Sequence, residues 1–414
     1  MDAVISQIHT LAQSADDAGR LDIQKALRDI QMDIQSPQDT LMEFGNSNLL
    51  IAMLRLGVDL GVFRDLSKTN GSLTVNQLAH IYDASPTFMG MMNILKDLHS
   101  TLERPIANFI PIERVLRYLA STNMIMEVGI NEYRANKITY VLADPRGEGM
   151  AQHGFDIFGP IAQAMPEFFM KRKYQDLTSN TDTPFQKAFN TNLACFDWLI
   201  QHPKHFGSLQ KVMTALEGAE WTVGFDLIKS EAEKIKSITL QPSERPFLVD
   251  VGGGHGHQCV QLGKTYPNLL GHLVLQDLPE AVDRLSPIEG VRVEAHDFFQ
   301  KQPITAYTLV DAKFYYLRRI MHDWPDKEAA SILQNIGSVM ASDARILIDD
   351  VVLPDTGAHW QATMADLSMM FAFGGKERSK KQWDSLAECA GLRVEQIHTY
   401  VAASYTSIVV LARK

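Results

Sequence analysis

The second half of the chain is built from short apolar runs: LVDV (248–251), LGHLVLQDL (270–278), VRVEAHDFF (291–299), AKFYYLRRI (312–320), ARILIDDVVL (344–353) and TSIVVLAR (406–413). Stretches of helical character separate them. Strands that alternate with helices predict a parallel-type sheet flanked by helices, with functional groups at the carboxyl ends of the strands. Asp250, Asp277, Asp297 and the pair Asp349/Asp350 each stand at or near such an end. The first half reads differently. Ile5, Ile8 and Leu11, then Leu21, Ile23, Leu27 and Ile30, recur at helical spacing over residues 1–35, a weakly apolar arm that must pack on the body or on a second subunit. A stronger helix follows Pro37, then SLTVNQLAHIYDASPTFMGMMNILKDL, where Ser72 or Thr74 can cap and Ser85–Pro86 opens another helix. Residues 123–139 alternate as a short hairpin or wing.

Three short helices joined by tight turns suggest a helix-turn-helix. The candidate recognition helix 86–98 is mostly methionine and other apolar residues, where base reading needs outward Arg, Lys, Asn or Gln. It fits a helical scaffold buried against another copy of itself better than a DNA reader. The expected organisation is three parts: a helical unit over 1–140, a helical linker and pocket region over 141–235, and the sheet domain over 236–414. Aromatics crowd the middle part, from Phe155, Phe158, Phe168 and Phe169 to Phe185, Phe189, Phe196, Trp198 and Phe206. Most are expected in the core, but together they could also line a pocket for a flat, apolar small molecule.

Composition narrows the picture. At 414 residues the chain can hold two or three domains, and 39 basic residues against 49 acidic ones, for a net charge of -10, argue against a nucleic-acid binder. Cys195, Cys259 and Cys389 are too scattered for a disulfide framework or a thiolate zinc site, which points to the cytoplasm. No apolar run is long enough to cross a bilayer, and the first twenty residues carry acids where a signal peptide has a basic region. The eighteen methionines suit core filling or a soft ligand-binding lining.

The candidate chemistry centres on FLVDVGGGHGH (247–257), an apolar run stopped by glycines at 252, 253, 254 and 256, which predicts strand, tight loop and helix beside a nucleotide-like ligand. It lacks the GxxxxGK[ST] spacing of a phosphate-cradling loop. Asp277 falls at the offset where an acid meets a ribose diol. On spacing alone a NAD site stays open. The register of GGGHGH and the lack of a second βαβαβ half favour a nucleoside with a small charged tail. His322, in YYLRRIMHDWPDKEAA, is the candidate proton acceptor, with Asp350 or Glu377 as the carboxylate that holds its other ring nitrogen. The alternative is a structural His322 that caps the helix at 325–337 or pairs with Asp323.

The segments LVDVGGGHGH, LQDLPEAV, HDFF, YYLRRIMHDWPDKEA, ILIDDVVLP and FGGKERSKKQWDSLAECAGL, in this order and spacing, resemble class I S-adenosylmethionine-dependent O-methyltransferases of the plant caffeate and fungal secondary-metabolite type. The resemblance covers nearly the whole chain. It implies a C-terminal α/β Rossmann-like methyltransferase domain and an all-α, winged-helix-like N-terminal domain that forms a homodimer. It further implies that Gly252 and Gly254 with Asp250 cradle the methionine moiety of S-adenosylmethionine. Asp277 would bind the ribose with Leu278 as a further cofactor contact, Asp297 and Phe298 would hold the adenine, and Arg318 would take the place of a cofactor-contacting lysine. His322 matches the catalytic base, with Asp350 and Glu377 at the two carboxylate positions. No metal is called for, because the acids are spread along separate strands. Three departures stand out: Asp350 replaces the usual glutamate, residues 99–115 resemble an insertion, and His153 in GMAQHGFD lies near the expected pocket. Some fungal members of this family keep S-adenosylmethionine yet catalyse dehydration and pericyclic cyclisation, which is the alternative activity implied here.

Overall fold

The computed structural model describes residues 1–82, 112–214, 221–235, 245–304 and 312–414. The expected helix at 86–98 and the 99–111 part of the apparent insertion lie outside the described residues. The chain divides into two compact units: a helical unit, Arg28–Gln163 with Phe196–Gly218, and a sheet unit, Met1–Leu27 with Ala164–Cys195 and Ala219–Lys414.

In the helical unit, Ser36 and Asp39 form a capping box before Pro37, and the long helix Pro37–Leu60 stops at Gly61 in the left-handed conformation. Of the two candidate caps Thr74 is used, exchanging bonds with Gln77 at the start of the helix Val75–Ile81. Val62, Phe63, Leu66, Leu78, Leu116 and Leu119 are buried together as the core. The unit is not all-α. Three short antiparallel strands, β1 (Ser72–Thr74), β2 (Met126–Gly129) and β3 (Glu132–Arg134), form a sheet in the order β1-β3-β2. The hairpin turn falls where Asn131 adopts φ +57°, a conformation asparagine tolerates.

The sheet unit contains β4 (Leu248–Val251), β5 (Leu273–Asp277), β6 (Val291–Ala295), β7 (Phe314–Arg318), β8 (Arg345–Leu353), β9 (Arg378–Ser379), β10 (Leu392–Val401) and β11 (Thr406–Arg413). The main path runs β10-β11-β8-β7-β4-β5-β6, and β9 pairs with the end of β8. Pairing is parallel from β6 through β8, and β11 runs antiparallel to both its neighbours. All six apolar runs form strands; five of them bury side chains of both faces, while the edge strand β6 is only partly buried. Val249, Tyr315, Leu317, Ile346 and Ile348 fill one layer, and Leu248, Leu275, Phe314, Tyr316 and Leu347 fill the other. Each such side chain contributes ~1.5–3 kcal/mol when fully buried.

The strand order reverses between β4 and β7. At such a switch point the connections leave the carboxyl edge in opposite directions and open a crevice there. No described helix is long and apolar enough to cross a membrane.

Candidate active site

The loop after β4 shows what each glycine is for. Asp250 is buried beneath it, with Cys259 Sγ 3.7 Å from Oδ2, and burial pushes the Asp250 carboxyl up to about 7. A Cβ on Gly253 would lie 2.8 Å from Asp250 Cγ, so this glycine lets the chain pass over the acid. Gly252 has φ +72°, and a Cβ there would meet Ile320 Cδ1 at 2.8 Å. Gly254, at φ +54°, differs from both: nothing lies within 4 Å of its Cβ position. Its N–H donates to Asp277 Oδ2 at 2.8 Å, and Leu278 N–H donates to Oδ1 at 2.7 Å. A carboxylate offers about four lone-pair sites, so two acceptor positions of Asp277 remain for a diol.

The end of β6 joins this edge. Asp297 Oδ1 accepts from Phe299 N–H at 2.9 Å and turns the chain, so HDFF leaves the strand. Phe298 Cε1 lies 3.7 Å from the Cβ position of Gly252, and its ring is edge-on to Trp324 at 6.1 Å. Gly252, Phe298 and Ile320 therefore meet at the switch point.

Beyond β7 the adjacent arginines take different partners. Arg318 Nη1 is 3.7 Å from Asp349 Oδ2, a buried carboxylate that also accepts from Tyr316 Oη at 2.5 Å and Tyr400 Oη at 2.7 Å. Arg319 takes φ +54° and places Nη1 3.9 Å from Glu377 Oε1. The turn Met321–Asp323 then presents His322, whose Nδ1 lies 2.8 Å from Glu377 Oε1. This resolves the choice of carboxylate. Glu377 reaches the ring, whereas both oxygens of buried Asp350 lack a hydrogen-bond partner. Of the two structural alternatives for His322, the helix cap does not apply, since the helix Asp326–Gly337 has Pro325 at its N-cap without a side-chain cap. Asp323 Oδ1 does lie within ion-pair distance of Nε2, at 3.6 Å, beyond hydrogen-bond reach.

Burial alone would lower the His322 pKa. The charge of Glu377, followed by those of Asp350 and Asp323, outweighs it and holds the ring up to about 9. Burial raises Asp350 to about 7 and Asp323 to about 6. The ring thus sits among three carboxyl groups with only one hydrogen-bonded to it. Nε2 has Asp323 Oδ1 at ion-pair distance, 3.6 Å, and no hydrogen bond to it.

The segment after the helix Trp360–Phe373 is shaped to hold this pair. A Cβ on Gly375 would lie 2.0 Å from the His322 carbonyl oxygen, so only glycine lets the strap approach, and Lys376 N–H then donates to that carbonyl at 3.0 Å. Asp366 Oδ1 accepts from Glu377 N–H at 2.9 Å. Asp366 and Arg378 were missed in the sequence. Arg378 had a signal, its place beside Glu377 in GGKERS, while Asp366 sits unmarked in an apolar helix.

His153 belongs to the helical unit. It ends the helix Pro145–His153 and runs straight into a π-helical turn, Gly154–Phe158, a form often found at functional sites. The ring is 5% exposed, edge-on to Phe158 at 4.8 Å, and Nδ1 has no hydrogen-bond partner. Burial pushes its pKa down to about 4, so the ring is neutral at pH 7. Arg55 anchors the same turn through Asp156, with Nε–Oδ1 at 3.2 Å and Nη2–Oδ2 at 3.1 Å.

Comparison with known proteins gives the family. Residues 177–393, more than half of the chain, match the O-methyltransferase domain family. Demethylsterigmatocystin 6-O-methyltransferase of Aspergillus flavus is 35% identical over 414 residues, spanning 100% of this chain and 98% of the relative. The O-methyltransferase lepI of Aspergillus flavus is 36% identical over 401 residues, 96% of this chain and 95% of the relative. The structure of LepI in complex with SAM superposes with a TM-score of 0.83 at 34% identity, covering 100% of this chain and 98% of that one. A structure described as a pericyclic reaction enzyme has the same TM-score of 0.83 and 34% identity, covering 100% of this chain and 99% of that one. On this family match and on identity along the full length, the chain belongs to the O-methyltransferase family.

Proposed function

We propose that this protein binds S-adenosylmethionine at the carboxyl edge of the sheet and methylates a hydroxyl of a small aromatic or polyketide-like metabolite, with His322 as general base. The observation that carries the reading is the 2.8 Å contact of His322 Nδ1 with Glu377, which in the neutral ring leaves Nε2 to take the hydroxyl proton. Because the ring holds its own proton up to about pH 9, turnover should rise with pH toward that value. The residues suit the cofactor. Gly254 is open on its Cβ side, Asp277 keeps acceptor positions for a ribose, exposed Leu278 offers an apolar contact, and Asp297 with Phe298 stands where the adenine belongs. Asp250 supports the loop from below, and Arg318 is a cation at the same edge. When bound, the cofactor supplies an electrophilic methyl on a sulfonium. The chain's own task is then alignment and proton removal. Structures of the relative LepI with SAM support this reading. His322→Ala should abolish formation of S-adenosylhomocysteine while calorimetry still registers cofactor binding. Turnover at the wild-type rate would refute the role of His322.

The second reading is a pericyclase or dehydratase that keeps the cofactor and does not transfer its methyl. It is favoured by His153, a neutral buried imidazole with an unpartnered Nδ1 at a π-helical turn, and by the likeness to a pericyclic reaction enzyme. Mass analysis of reactions with metabolite extract separates the two: a gain of one methyl supports transfer, an isomerised or dehydrated product without S-adenosylhomocysteine supports cyclisation.

The helical unit fits a winged-helix-like dimerisation domain, and the tripartite division 1–140, 141–235 and 236–414 follows that reading. Leu41, Met42 and Phe44 on the helix Pro37–Leu60 are each more than 60% exposed, an apolar face suited to a second copy of the chain. Sedimentation equilibrium should give a homodimer. The three free cysteines fit a cytoplasmic enzyme.

A further inference from the structure

The grip on His322 does not end with Glu377. Arg378, the next residue, is completely buried, and its guanidinium is spent on the main chain that flanks the imidazole. Nη1 donates to the Met321 carbonyl at 2.7 Å, and Nη2 donates to the Trp324 carbonyl at 2.9 Å. Nε and Nη2 both reach Asp326 Oδ1, at 3.1 and 2.9 Å, and the Trp383 ring packs 5.3 Å from the guanidinium carbon. Three successive residues thus hold one turn in three ways. Lys376 binds the His322 carbonyl by its main chain, Glu377 binds the ring, and Arg378 binds the carbonyls on either side.

We propose that Arg378 is the positioning residue of the site: its buried fork fixes the turn 321–324 in the geometry that delivers His322 Nδ1 to Glu377 and so decides where Nε2 is aimed. A planar guanidinium can bridge two carbonyls and a carboxylate at once, which the single ammonium of lysine cannot do in the same geometry. The inference rests on the reading of His322 as the base, but its mechanical content concerns this chain alone. Glu377, Asp350, Asp323 and Arg319 are the charged groups that face the ring, and the Glu377 contact is the one that depends on the turn being held.

The test follows the His322 imidazole by NMR in the full-length protein labelled at its thirteen histidines, the signal being assigned by its loss in His322→Gln. The wild-type ring should titrate near 9. Arg378→Lys keeps the charge and loses the fork, and should lower the midpoint by about one pH unit, a tenfold weaker hold on the proton. A folded Arg378→Lys protein that titrates with the wild type overturns the proposal. If that variant does not fold, Asp326→Asn decides, because it loosens the fork from the exposed end; a smaller shift in the same direction supports the proposal, and an unmoved midpoint overturns it. The titration needs no substrate. Failure of the general-base reading shows up separately, as methyl transfer that survives His322→Ala.

Discussion

Replacing Glu377 with glutamine removes the charge nearest to His322 while keeping shape and an acceptor at the same place. In the folded chain His322 keeps its proton up to about pH 9, whereas the unfolded chain releases it near 6.5. The contribution of the pair to stability is therefore complete below pH 6.5 and is lost as pH rises through 9. Asp323, Asp350 and Asp250, raised to about 6, about 7 and about 7, are mostly ionised above pH 7.5. The buried Cys195 and Cys259 thiols, pushed up by burial, act alike in both proteins, so it is the difference between wild type and variant from pH 7.5 to 9 that isolates the imidazole. Over that interval the wild type should lose about 2 kcal/mol more than a chain without the pair, from roughly one and a half pH units at 1.36 kcal/mol each.

In Glu377→Gln the remaining carboxylates must offset burial by themselves, and the folded midpoint should fall to 6.5 or below. The His322 part of the loss between pH 7.5 and 9 then disappears. Urea unfolding followed by tryptophan fluorescence reads the right part of the chain, because Trp221, Trp324, Trp360 and Trp383, four of the five tryptophans, belong to the sheet unit. The comparison is between slopes with pH, so a general weakening of the variant does not affect it. Wild type and variant losing stability in parallel over this interval would show that Glu377 does not hold the proton on His322.

Three further outcomes follow from the geometry. Gly252→Val forces a Cβ to 2.8 Å from Ile320 Cδ1 at φ +72°, and should weaken S-adenosylhomocysteine binding in calorimetry by at least about tenfold through strain in the loop. Asp277→Asn turns an amide NH₂ toward one of the two main-chain donors, Gly254 or Leu278, and should cost about 1.5–3 kcal/mol of cofactor affinity in the same assay. Arg55→Met leaves Asp156 without its bidentate partner at the π-helical turn, and circular dichroism should show the helical unit losing about 2–3 kcal/mol of stability.

What the sequence made legible was whatever local physics decides. Six strands, five of them buried on both faces, showed as apolar runs, and the glycine loop and the acids behind it fell at the sheet's carboxyl edge. β10 did not show. Leu392–Val401 is an outer strand with only Leu392 fully buried, and register shifts between Val394 and Gln396 and between Thr399 and Val401 break the alternation that marks a half-buried strand. HDFF read as strand because it is aromatic, yet the Asp297 side chain captures Phe299 N–H and turns the chain. In the helical unit the hairpin of β2 and β3 did show, as alternation over 123–139, whereas β1, three residues long, was too short for a pattern, and the all-α expectation came from the resemblance.

The carboxylate partner of His322 was the part of the site that the sequence had to leave open, and strand geometry shows why. Asp349 and Asp350 are neighbours on β8, so their side chains point to opposite faces of the sheet. Asp349 is committed on one face to Tyr316, Tyr400 and Arg318. Asp350 turns to the other, where its charge acts on His322 without a hydrogen bond. A carboxylate in that position raises the affinity of the ring for a proton but cannot orient it. Orientation comes from Glu377, 55 residues further along the chain, held by Asp366 and by the close approach that Gly375 permits. The two acids are alike in sequence and separate in function because orientation needs contact, whereas a charge acts at a distance in a buried setting.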